Sequence, residues 1–153
     1  MRKNSEFFLK MVLIILSILT MRQHIETQKK EKEDFYTFCS SYGFTQASIE
    51  QISHLEKPFV VKKICGTVLS IEGLPLGKEL VFEIRKKDRN WKTQKIFRAT
   101  TDDKGEFCIK CVKQGTYCFK VTLEGWRSVM GEIILSDKAD KNSKILVKME
   151  PGF

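Results

Sequence analysis

The sequence predicts an all-β fold, a two-layer sandwich of short strands. Three observations carry that expectation. Apolar residues alternate over short runs: Leu80, Phe82 and Ile84, then Phe107 and Ile109, then Tyr117, Phe119 and Val121. A period of two marks strands with one buried face. Turn residues separate the runs, as at Asp103-Lys104-Gly105 and at Gly115, where glycine accepts a positive φ. The alternating region is also long enough to close one core between two sheets.

Seven strands are expected, at roughly 60–69, 79–85, 94–101, 106–112, 116–123, 128–135 and 144–149. Ile64 and Val68 point inward in the first. Gly73-Leu74-Pro75-Leu76-Gly77 links it to the second. The turns at Asp103-Lys104-Gly105 and Gly115 read as two hairpins in series, which makes the third, fourth and fifth strands neighbours.

The chain before the strands divides in two. Arg2 and Lys3 precede an apolar run over residues 7–21, broken by Lys10. Its length suits a secretory signal better than a spanning helix. No alanine precedes Ala47, so an A-x-A cleavage site is missing and an uncleaved membrane anchor remains the alternative. Residues 1–21 are therefore assigned to a signal peptide or anchor. Residues 22–58 read as a polar linker, with a short helix capped by Thr45 and placing Ile49 and Ile52 on one face. Residues 59–153 form the sandwich. Most of the net charge of +8 lies there, which favours acidic partners.

The order of motifs over residues 62–150 is informative. Ile64-Cys65-Gly66-Thr67-Val68 is followed by Gly73-Leu74-Pro75-Leu76 and Thr100-Thr101-Asp102-Asp103-Lys104-Gly105-Glu106-Phe107. Then come Val112-Lys113-Gln114-Gly115-Thr116-Tyr117-Cys118-Phe119-Lys120-Val121, Gly125-Trp126 and Ile145-Leu146-Val147-Lys148-Met149. This series resembles the carboxypeptidase regulatory-like family. The resemblance implies a seven-stranded Greek-key sandwich of the prealbumin (transthyretin-like) or immunoglobulin-like kind, with a short N-terminal extension. It places Trp126 at an aromatic corner of the core. It also implies a non-catalytic module that accompanies secreted or surface proteins, so the chain is expected not to be an enzyme. Gln114 departs from the proline that often precedes the turn glycine.

The candidate sites are few. Five cysteines are present: Cys39, Cys65, Cys108, Cys111 and Cys118. Disulfides suit an exported chain. Cys108 and Cys118 alternate opposite to the inward residues and lie on what read as neighbouring strands, so they are the expected cross-strand bridge. Cys39, outside the sandwich, is the expected odd thiol. Cys108-Ile109-Lys110-Cys111 has redox spacing, but in a continuous strand its two sulfurs face opposite sides. Zinc held by Cys65, Cys108, Cys111 and Cys118 is a further alternative, without a second close pair. Asp102-Asp103-Lys104-Gly105 lacks the ligand pattern of a calcium loop and reads as a turn. The best contact patch is the tip formed by Lys86, Lys87, Arg89, Trp91 and Lys92, where charge and stacking could grip an acidic protein or glycan. No cofactor and no nucleic acid are expected. Membrane association would run through residues 7–21. The function expected is binding or structural support outside the cytoplasm, with a tethered envelope component and a small zinc or thiol protein as alternatives.

Overall fold

The computed structural model describes Ser17, Thr20 and residues 39–77, 79–88 and 93–152. The chain divides into two compact units, Met1–Thr37 and Phe38–Phe153. The apolar run over residues 7–21 and the charged stretch after it lie outside the described residues, apart from Ser17 and Thr20. Among the described residues no helix is long and apolar enough to cross a membrane.

The second unit is all-β and has two sheets. Its strands are β1 (Ile52–His54), β2 (Phe59–Val61), β3 (Ile64–Ser70), β4 (Val81–Lys86), β5 (Ile96–Thr100), β6 (Glu106–Ile109), β7 (Gly115–Thr122), β8 (Ser128–Leu135) and β9 (Ile145–Met149). The large sheet has the order β1-β8-β7-β4-β5, with β2 also pairing β8. The small sheet has the order β6-β3-β9. Each of the seven expected runs contains a strand, but nine strands form among the described residues. The first expected run breaks at Lys62-Lys63. Its halves β2 and β3 then join different sheets. The ninth strand, β1, falls where the linker was expected. No helix forms over residues 45–52: the chain there is irregular and ends in β1. Pairing of Ile52 and His54 with β8 wins over weak local helix propensity.

The two expected hairpins are also corrected. β5 belongs to the large sheet, β6 to the small one, and β7 to the large one again. Both turns therefore carry the chain across the sandwich. The turn after β5 is built as expected even so. The Asp102 carboxylate accepts bonds from the backbone N–H of Lys104 and Glu106. Gly105 takes a φ of 74°, and a Cβ there would meet the Val68 carbonyl oxygen at 2.3 Å.

The core sits between the sheets, and alternation fills it. Buried and less buried residues alternate along β3, β6 and β9. Phe107 of the small sheet stacks on Phe82 of the large one with centroids 3.8 Å apart, and Phe82 lies 5.4 Å from Phe119. Trp126 is partly buried against this core, as expected. Gly66 is needed where β3 passes β9, because a Cβ would lie 2.0 Å from the Ile145 carbonyl oxygen.

The large sheet departs from simple alternation. β4, β7 and β8 are buried on both faces over most of their length. Residues 39–50, expected as part of the linker over 22–58, lie across the outer face and bury it.

Candidate functional site

The strap of residues 39–50 is held by a buried polar network. Register places Arg98, Glu83, Lys120 and Met130 in one row across β5, β4, β7 and β8. Glu83 and Lys120 are fully buried. The Thr45 N–H donates to Glu83 at 2.6 Å, and Arg98 donates to the other oxygen of the same carboxylate. The Lys120 ammonium donates to the Thr45 carbonyl at 2.7 Å and to Glu50. Arg85, one row along, donates to the carbonyls of Tyr42 and Ser40 at 2.6 and 2.9 Å. Its guanidinium also lies 4.7 Å from the centre of the Phe44 ring. Burial lowers the Lys120 pKa to about 8 and lowers that of Arg85. Polar groups on the outward face of a sheet ordinarily stay in water. Here the strap supplies the partners that buried charges require.

Two disulfides close the unit, and their pairing differs from the expected one. Cys39 bonds Cys118, at a sequence separation of 79, and Cys65 bonds Cys108. Cys108 and Cys118 are not partners because β6 and β7 lie in different sheets. Cys108 instead faces Cys65 across the β3–β6 ladder. Cys39 is not the odd thiol, because the strap carries it back onto Cys118. The free and exposed cysteine is Cys111. Three of the four proposed zinc ligands are consumed by these bonds, so the zinc alternative fails. The bridges suggest an oxidising, extracytoplasmic setting.

The expected contact patch is described in part. Lys86 ends β4 and is exposed. Lys87 pairs with Glu132 at 2.7 Å and is less available than expected. Arg89, Trp91 and Lys92 lie outside the described residues.

The fold shows a larger basic surface. The connections β2–β3, β4–β5, β6–β7 and β8–β9 all fall at one end of the sandwich. Their described residues include nine lysines, at 62, 63, 87, 95, 110, 113, 138, 141 and 144, against three aspartates. Two of these aspartates are engaged locally: Asp137 accepts from Gln114, and Asp140 accepts from the Asn142 N–H. The opposite end carries Glu72, Glu79, Asp102, Asp103, Glu124 and Glu150 against Lys104 and Arg127 among the described residues. At the basic end a cavity of about 400 Å³ is lined by Lys62, Lys63 and Lys110, with Ile64, Ile109 and Leu135 as apolar walls. Cations around an apolar floor can hold an anionic group that also carries apolar surface.

No family model matches the chain, and no curated protein does. Among solved structures it is similar to a hydroxyquinol 1,2-dioxygenase from Pseudomonas putida DLL-E4, with 10% identity and a TM-score of 0.40, covering 72% of this chain. The chain spans 65% of that protein's length. It is also similar to a 3-chlorocatechol 1,2-dioxygenase from Rhodococcus opacus 1CP, with 10% identity, a TM-score of 0.37 and 99% and 96% of the two chains covered. Both neighbours are enzymes by name, so the expectation that this chain is not an enzyme is withdrawn. Their likeness concerns the fold alone.

Proposed function

We propose that this chain is an exported β-sandwich module, of the carboxypeptidase regulatory-like kind, that binds an acidic partner outside the cytoplasm through its lysine-rich end. The charge difference between the two ends of the sandwich carries the reading. Nine lysines collected from four separate connections give a field that steers and holds anions. The lysine-lined cavity supplies a concave seat within that surface. The motif order over residues 62–150 supports the family, and the two bridges support export.

The test is retention on immobilised heparin, a sulfated glycan used as an anionic probe. The wild-type protein should elute at a salt concentration well above that of the Lys62→Ser/Lys63→Ser/Lys110→Ser variant. A control at the other end, Lys104→Ser/Arg127→Ser, should elute with the wild type. Equal loss in both variants, or no retention of the wild type, overturns the proposal.

A further inference from the structure

We propose that Cys111 and the Cys65–Cys108 bridge form a thiol–disulfide exchange site at the lysine-rich end. All three cysteines line the same cavity of about 400 Å³, together with Lys62, Lys63 and Lys110. Cys111 and Cys108 are exposed and Cys65 is half-buried. The other bridge is sealed, with Cys39 and Cys118 each 1% exposed. The molecule thus holds one shielded disulfide and one open disulfide with a thiol beside it.

Strand alternation would keep the two sulfurs of the Cys108-Ile109-Lys110-Cys111 segment apart. β6 stops at Ile109, however. Cys111 then takes a φ of 59°, a left-handed turn uncommon outside glycine. The rule of opposite faces therefore does not reach Cys111, and Cys108 and Cys111 both line one cavity.

The reaction needs no external oxidant. The Cys111 thiol gives its proton to solvent and its sulfur attacks the Cys108 sulfur. A Cys108–Cys111 bond forms, the Cys65–Cys108 bond breaks, and Cys65 leaves as a thiolate that takes up a proton. Cys108 is the sulfur attacked because it is the more exposed of the bonded pair. The product moves the covalent tie out of the β3–β6 ladder. Edge strand β6 is then held to β3 by backbone bonds alone.

The oxidised full chain is held in a glutathione buffer at mildly alkaline pH, quenched with acid, blocked with a maleimide and digested with trypsin. Cleavage after Lys63, Lys110 and Lys113 places the three cysteines on separate peptides. The expected result is a Cys108–Cys111 link growing with time, matched by blocked Cys65, while the Cys39–Cys118 link stays constant. Cys111→Ser should abolish both signals. In Cys65→Ser, oxidised glutathione should close Cys108 onto Cys111. A Cys65–Cys108 link that persists unchanged, a Cys65–Cys111 link, or failure of Cys65→Ser to close that bridge overturns the proposal.

Discussion

Lys120 offers a stability test whose sign is fixed by its surroundings. Its side chain is fully buried beneath the strap, and burial lowers its pKa from 10.5 to about 8. Below pH 8 the ammonium is charged in both folded and unfolded chains, and the folded state carries the whole desolvation penalty. Between pH 8 and 10.5 the unfolded chain binds more protons, so stability rises with pH. Each pH unit is worth about 1.4 kcal/mol, and the full interval about 3 kcal/mol. The reference is Lys120→Met, which has no charge to lose. Urea midpoints of both proteins are compared from pH 7 to 10.5 in a Cys111→Ser background, which prevents disulfide reshuffling. Burial raises the Tyr117 pKa, and its contribution above pH 10 is common to both proteins and cancels. The stability of the Lys120 protein relative to Lys120→Met should climb by about 3 kcal/mol across the interval. A flat or falling difference would refute the reasoning. It would show that Glu50 and the Thr45 carbonyl outweigh desolvation and hold the ammonium charged.

Two further outcomes test the fold. Removing the strap's covalent tie by Cys39→Ala/Cys118→Ala should cost up to about 4 kcal/mol of loop-closure entropy, given the long separation of the two residues. Denaturant midpoints measure the loss, and a change below about 1 kcal/mol would mean that hydrogen bonds alone fix the strap. Phe107→Ala removes the ring stacked on Phe82 between the sheets and should cost about 3–5 kcal/mol. An unchanged urea midpoint would reject that residue's inward register.

The strands were legible because alternation reports which side chains point inward. Ile64, Val68, Phe82, Phe107, Tyr117 and Phe119 are all buried where the period of two places them. Alternation does not report which sheet a strand joins. Asp103-Lys104-Gly105 has hairpin composition, yet it turns the chain between layers; the turn before Gly115 does the same, and the Cys108–Cys118 pairing failed with that second turn. The strap was invisible for another reason. Glu83, Arg85 and Lys120 occupy outward positions, where charged residues normally mark a solvated face. Their burial depends on residues 39–50, which have no period of their own. One signal did exist: Cys118 lies on the outward face of a strand with Cys39 upstream, and a bridge between them requires the intervening chain to fold over that face.

The basic end was hidden by the same separation of sequence from space, but here the alternation of the chain itself recovers it. From β3 onward each strand carries the backbone from one end of the sandwich to the other, and β1 and β2 together make one such passage along β8. Most successive connections therefore fall alternately at the two ends, whatever the sheet order. Lysines that look interspersed along the sequence are thereby sorted. Lys62-Lys63, Lys110 with Lys113, and Lys138 with Lys141 and Lys144 come from every second connection, while Glu72, Glu79, Asp102, Asp103 and Glu124 come from those between. Interspersed charges resemble a merely solvated surface only while the chain is read as a line. A patch confined to one hairpin tip, as expected at Lys86 and Lys87, would depend on one connection. A surface assembled from four connections gives a field that no single substitution removes. The retention experiment therefore requires several lysines to be replaced together before binding is lost.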